Sequence, residues 1–182
     1  MLARETKMNR HLIKLLKDKN ILKSGNFILR SGKQSDYYCD IKEALGYPEV
    51  LNMLVTELIK LVPTNATCIA GCGYGGITLA SLVAYKKKIP LVLVRDKIKN
   101  HGTKKIIDGY TPNKKDVVCI IDDVFTTGSS IKDTKEKLAY LKSKFTKPVV
   151  VLNRSRKSVV ISILTDKNLS GKNTSLRTQI KY

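Results

Sequence analysis

Acidic residues are scarce in this sequence: 15 Asp and Glu stand against 34 Lys and Arg in 182 residues, a formal net charge of +19. Arginine is scarce too, since 27 of the basic residues are Lys and 7 are Arg, and they are dispersed along the chain. Base readers and phosphate clamps lean on Arg, whose planar fork meets phosphate oxygens bidentately, so a scattered Lys excess reads first as solvated surface. Anionic small substrates and non-specific polyanion binding are the alternatives; no helix-turn-helix, RRM or zinc-finger pattern supports a nucleic-acid partner. No run of about 18 apolar residues exists, which excludes a membrane-spanning helix. The first twenty residues lack the apolar stretch of a secretory signal, and Glu5 and Asp18 argue against a transit peptide, so a cytoplasmic location is expected. Cys68 and Cys72 form a C-x3-C pair with no second pair and no nearby His, so no zinc set is complete. With Cys39 and Cys119 they read as reduced thiols. Nothing matches a Walker A motif.

What is present is enough for a core. At 42% apolar residues, one domain spanning 1–182 is expected to bury roughly 70% of its unfolded surface. It divides into an N-terminal region of about 1–45, a core of about 46–165 and a short tail. Residues 4–19 place Leu12, Ile13, Leu15 and Leu16 at helical spacing, and residues 21–41 read as hairpin-like strands and turns. Pro48 opens a helix with Val50, Leu51, Leu54, Leu58 and Leu61 on one face. Strands and helices then alternate: a strand at 67–71, a helix from about Ile77 to Tyr85, and a strand at 90–94. A long polar loop at 96–113 follows, then a strand at 116–122, a helix over 129–144, and strands at 148–153 and 159–164. β-branched strands apolar throughout imply an α/β fold with a mainly parallel sheet covered on both faces. A loop as long as 96–113 in a compact domain is often a mobile cover for an active site.

Two turns carry the chemistry. Gly71-Cys72-Gly73-Tyr74-Gly75-Gly76 matches G-x-G-x-x-G after a strand and before a helix, with Asp96 ending the next strand. That is the outline of a dinucleotide fingerprint, but glycine-rich strand-to-helix turns serve many anion sites through bare backbone N–H groups. The second turn decides between them. The strand at 116–122 leads into Asp122-Asp123-Val124-Phe125-Thr126-Thr127-Gly128-Ser129-Ser130. Amides and hydroxyls of 126–130 can cradle a phosphomonoester at a helix N-terminus, and two carboxylates just ahead can accept hydrogen bonds from vicinal sugar hydroxyls. Together they fit a ribose 5-phosphate. Apposed carboxylates repel and need such a partner, and a dinucleotide fold does not require this loop.

The segment VVCIIDDVFTTGSSI resembles the phosphoribosyl-pyrophosphate (PRPP) motif of type I phosphoribosyltransferases. Within that superfamily the chain resembles the orotate phosphoribosyltransferase family in three further segments: FILRSGKQSDYYCD (27–40), VRDKIKNHGTKKIIDGY (94–110), and VVVLNRSRK followed by VVISILT. The likeness runs in unbroken order over about residues 10–168, and the tail is shorter than in the bacterial branch. It implies a type I phosphoribosyltransferase fold with an N-terminal hood over about 1–45 and a mobile catalytic loop. It also implies a reaction joining orotate to PRPP to give orotidine 5′-monophosphate and pyrophosphate. The displacement has oxocarbenium character and needs no protein nucleophile. Mg2+ is the implied cofactor, held mainly through substrate and not by a protein ligand set.

By the same resemblance Asp122 and Asp123 take the ribose hydroxyls, and Val124, Phe125, Thr126, Thr127, Gly128, Ser129 and Ser130 form the 5-phosphate loop. Arg95 and the turn at Tyr74 and Gly75 face the pyrophosphate. Lys99 and His101 belong to loop 96–110, which in the family completes the neighbour's site in a homodimer. Arg154 pairs with the orotate carboxylate, with Arg30, Tyr37, Tyr38 and Thr126 beside the base. Three positions depart from the family pattern: Asp96 stands where a Lys is common, Gly75 where the bacterial branch has Lys, and Cys39 where a second aromatic is often found. Transfer to another base, and a non-catalytic PRPP-sensing module that contacts nucleic acid, are the alternative functions. No decarboxylase domain is expected within this length.

Overall fold

A computed structural model of the chain describes residues 2–28, 32, 34–97, 105–155 and 158–170, with side chains from Asn9 onward. The elements in chain order begin with α1 (Leu2–Asp18), β1 (Leu22–Ile28), β2 (Gln34–Cys39), α2 (Ile41–Ala44) and α3 (Pro48–Leu61). The core follows with β3 (Cys68–Cys72), α4 (Gly73–Lys87), β4 (Leu91–Val94), β5 (Ile107–Gly109), β6 (Val117–Phe125) and α5 (Ser129–Leu138). After a 3-10 turn at Ala139–Leu141 come β7 (Lys144–Phe145), β8 (Val149–Asn153), β9 (Ile161–Thr165) and α6 (Asp166–Leu169). β1 and β2 form a separate antiparallel hairpin. The larger sheet has the order β5-β4-β3-β6-β8-β9 with β7 beside β6, and every pairing in it is parallel except β4 with β5.

Strand periodicity places the core. Successive residues of a strand point to opposite faces, so Cys119 and Ile121 of β6 join one apolar cluster while Val118 and Ile120 join another. On the first face lie Leu12 and Leu16 of α1, Leu54 and Leu58 of α3, and Leu79 and Val83 of α4. On the second lie Ile131 and Leu138 of α5. Of the stripes read from the sequence, Leu12, Leu16, Val50, Leu54, Leu58, Ile131 and Leu138 are buried, while Ile13, Leu15, Leu51, Leu61 and Leu141 are partly buried against them. Among the described residues no helix is long and apolar enough to cross a membrane.

Four boundaries differ from the sequence reading, each for a local reason. Helix α4 starts at Gly73 instead of about Ile77, because the glycines bring its first turn against the sheet: a Cβ on Gly76 would lie 3.0 Å from the Ile121 carbonyl oxygen. β6 runs through the paired acids to Phe125, because β8 pairs with it there, Asp122 opposite Val150 and Val124 opposite Leu152. Residues 96–113 are not one loop, since β5 returns antiparallel to β4; three residues are too few to leave an alternation signal. The helix expected over 129–144 ends at Leu138, and Lys142 in the left-handed region (φ 57°) turns the chain into β7. Asp116 secures the return from β5. It accepts from Thr67 Oγ1 at 2.8 Å, Tyr110 Oη at 2.9 Å and the Asn113 backbone at 2.8 Å, and these bonds, the Asn113 amide first, hold its carboxyl below the usual range.

Gly71 is where backbone approach is tightest. A Cβ there would meet the Ala80 Cβ and the Gly76 carbonyl oxygen, both at 2.7 Å. Gly71→Ala should therefore wedge α4 off β3 and cost roughly 1–3 kcal/mol, measurable as a lowered urea midpoint with unchanged m-value.

Candidate active site

The chain leaves β3 through α4 to β4 on one side, while β6 lies on the other side of β3. At such a switch point the carboxyl ends of adjacent strands open into a crevice. A cavity of about 370 Å³ lies there, lined by Tyr74 and Gly75 from the start of α4, Asp122 and Asp123 from β6, and Ser129 and Ser130 from α5. A second cavity of about 300 Å³ adjoins it through Gly73, Tyr74 and Asp96, and adds Arg95 and Lys97. The two turns singled out in the sequence thus face each other across one crevice.

The paired acids are buried, each 8% exposed. The Asp123 amide donates to Asp122 Oδ1 at 2.9 Å, and the Val124 amide donates to Asp123 Oδ1 at 2.8 Å. The other oxygen, Asp123 Oδ2, is fully buried and pairs with Lys42 Nζ at 3.2 Å. Burial, and then the charge of Asp123, pushes the Asp122 carboxyl up to about 7, with Lys42 offsetting part of this. Space for these carboxylates exists because α4 presents no side chain to them: a Cβ on Gly75 would lie 2.4 Å from Asp123 Oδ2, and one on Gly76 would lie 3.2 Å from Asp122 Oδ1.

Past β6 the chain turns at Gly128, whose φ of 83° suits glycine; a Cβ there would also strike the Phe125 ring at 2.6 Å. Phe125 is buried under this turn, and Val124 is half-buried. Helix α5 begins with no acid in its first turn. Among the described residues its N-terminal amides meet one side chain, in a long approach from Ser129 N to Thr127 Oγ1 at 3.4 Å. Its free N–H groups and positive dipole end therefore face solvent beside exposed Thr126, Thr127, Ser129 and Ser130.

Arg154 follows β8, with its amide donating to the Phe125 carbonyl at 2.8 Å. Its side chain is 10% exposed and is held on three sides. Nη2 donates to Ser35 Oγ at 2.9 Å, the guanidinium lies 4.5 Å from the Tyr37 ring centre, and Nε faces Asp166 Oδ1 at 3.7 Å. Tyr37 in turn donates its hydroxyl to Asp166; burial, and then this bond, raises its pKa.

The structure separates the expected aromatic pair. Alternation along β2 buries Tyr37 at 2% exposure and turns Tyr38 outward at 40%. There Tyr38 packs on Phe27 and donates to Asp40, so only Tyr37 stands beside Arg154. Arg95 is paired with Asp108 on β5. Asp96 Oδ1 accepts from the Cys72 thiol at 3.1 Å, and its backbone carbonyl accepts from Lys137 Nζ at 2.9 Å. Burial first, then this bond to Asp96, pushes the Cys72 thiol up to about 11. Arg30, Lys99 and His101 lie outside the described residues.

Three residues at the site were given no role from the sequence: Ser35, Lys42 and Asp166. Lys42 is one Lys among many, and only the Asp40 cap, which accepts from Lys42 N at 2.9 Å, hints that a helix starts there. Asp166 sits in a tail whose pattern is too short to read; the capping box that starts α6 at Thr165 was its available signal.

No family model matches the chain. An orotate phosphoribosyltransferase from Methanopyrus kandleri is 38% identical over 148 residues, covering 81% of this chain and 79% of that protein. Another from Methanococcus maripaludis is 36% identical over 153 residues, covering 82% of each. Among solved structures, orotate phosphoribosyltransferase from Aeropyrum pernix superposes with a TM-score of 0.74 at 28% identity, covering 87% of this chain and 95% of that one.

Proposed function

We propose a division of roles within a site whose family is established: the chain belongs to the orotate phosphoribosyltransferase family. Its fold is that of the type I phosphoribosyltransferases. Its reaction moves the 5-phosphoribosyl group of PRPP to orotate, giving orotidine 5′-monophosphate and pyrophosphate.

The observation that carries the assignment of roles is the convergence of two buried carboxylates with an uncapped helix N-terminus across from a turn where Gly75 and Gly76 present no side chain. The sugar 5-phosphate sits on the first-turn amides of α5 and the hydroxyls of Thr126, Thr127, Ser129 and Ser130, where the helix dipole favours an anion. Asp122 and Asp123 accept hydrogen bonds from the ribose hydroxyls. The amides around Tyr74 and Gly75, with Arg95, face the leaving pyrophosphate. Arg154 offers its fork to the orotate carboxylate, a bidentate and charge-assisted pairing; the Tyr37 ring and Ser35 keep the fork oriented. Thr126 joins the phosphate and base ends. Positioning and charge stabilisation supply most of the acceleration, and no protein nucleophile takes part.

The paired carboxylates are hard oxygen donors of the kind that suits a magnesium ion carried in with PRPP, and in the free protein Lys42 offsets the charge of Asp123. Asp122 and Asp123 would meet it through the ribose hydroxyls or its water, and it would supply charge neutralisation on the pyrophosphate. The loop 96–110, with Lys99 and His101, completes the neighbouring subunit's site in a homodimer. Four free thiols, three of them buried, suit a reducing cytoplasm. Mixing the protein with PRPP, Mg2+ and orotate should consume the ultraviolet absorbance of orotate in a PRPP-dependent way. No loss at micromolar protein would defeat the reading.

A further inference from the structure

The main cavity has an imbalance that its proposed substrate makes acute. Asp96, Asp122, Asp123 and Asp133 line it, and among the described residues lining it Lys42 is the only cation. Neither can the facing turn supply one at Gly75, because a Cβ there would collide with the Asp123 carboxylate at 2.4 Å. Arg95 lies in the adjoining cavity and is paired with Asp108, so a pyrophosphate placed beside this turn draws further positive charge inside the main cavity from another element.

Lys42 can supply it. It stands on α2, whose Ile41 and Ala44 are buried at 1% and 0% exposure and which packs on both α4 and β6. Asp40 caps the helix through the amides of Lys42 and Glu43. The backbone under Lys42 is thus fixed, while its side chain is 62% exposed against 11% for Asp123. An ammonium on a flexible stem, partly hydrated, can turn from one anion to another at small cost.

We propose that Lys42 is a substrate-contacting residue: it neutralises Asp123 in the free protein and moves to the pyrophosphate oxygens of PRPP when the sugar hydroxyls take its place. No proton is transferred; one ion pair is exchanged for another, and the cation remains to balance charge that builds on the leaving group. This rests on the reading of the crevice as a PRPP site.

The test is Lys42→Met beside Lys42→Arg, with PRPP affinity in Mg2+ measured by calorimetry and steady-state kinetics run on both substrates. Lys42→Met should weaken PRPP binding by roughly ten- to a hundredfold and leave the KM for orotate unchanged, while Lys42→Arg recovers most of the loss. The acid limb of the kcat/KM profile for PRPP should also move to higher pH in Lys42→Met. Among the described residues the charged groups around Asp122 are Asp123 on its own strand, Lys42 on α2, and Asp96 and Asp133 at the cavity wall, while α4 offers Gly75 and Gly76, so removing Lys42 leaves repulsion alone. A merely structural role would lower thermal stability without a selective loss of PRPP affinity that Lys42→Arg restores. Wild-type turnover of orotate with PRPP affinity unaltered in Lys42→Met would overturn the proposal and leave the family reaction intact, as would equal loss in both variants. PRPP binding that depends on Lys42, without orotate turnover, would sustain Lys42 and remove the assignment of the acceptor.

Discussion

Asp122→Asn combined with Asp123→Asn should lower kcat/KM for PRPP by roughly a hundred- to ten-thousandfold. In the proposed roles each carboxylate would contribute a charge-assisted hydrogen bond of about 1.5–3 kcal/mol to a sugar hydroxyl. The KM for orotate should hold near its wild-type value, and initial rates with each substrate varied in turn will show the split. The same substitution is not expected to weaken the fold at neutral pH. Asp122 ionises in the folded protein only near 7, against a value of 3.8 when unperturbed. Between those values the folded state holds a proton that the unfolded state has lost, so the contribution of this group to stability falls as pH rises from about 4 through 7. Asn at position 122 removes that slope, and thermal melts at pH 5 and pH 8 should show the variant gaining on wild type at the higher pH. Loss of function with retained stability is the mark of a site held against its own repulsion.

Arg154→Ala should raise the KM for orotate by roughly thirty- to a thousandfold, the worth of a mostly buried bidentate pair at about 2–4 kcal/mol, with PRPP affinity largely kept. Arg154→Lys keeps the charge but loses the fork and should fall between. The side chain is 10% exposed and faces Asp166, so its removal also takes the cation from beside the Tyr37–Asp166 pair. Competition by orotate analogues lacking the carboxylate separates the two effects: Arg154→Ala should bind them as wild type does. Should the aspartate variants and Arg154→Ala change the same substrate, the division of roles collapses.

Much of this site was legible because its chemistry is local. Asp122 to Ser130 are consecutive, and a strand that ends in acids, hydroxyls and glycine before a helix carries its own explanation. The alternating core was legible because β-branched runs leave few other readings. What escaped detection depends on tertiary placement. Tyr37 and Tyr38 are neighbours in sequence, and which one turns inward depends on the register of β1 and β2. Gly75 and Gly76 read as a flexible turn, yet they act as absent side chains under two carboxylates. β5 is three residues long and forms because β4 offers an edge, which its own sequence does not announce. Lys42 carried no signal in a chain so rich in Lys, and only its proximity to Asp123 distinguishes it.

The knot around Arg154 bears on the order in which the site can assemble. Ser35 lies 119 residues before Arg154, and Tyr37 lies 129 residues before Asp166. The phosphate cradle, by contrast, is built from one short stretch of chain. Closing the longer loops costs more entropy, so the contacts around Arg154 are expected to form after those of the Asp122–Ser130 stretch, and substitutions at Ser35 or Tyr37 should speed unfolding more than they slow folding.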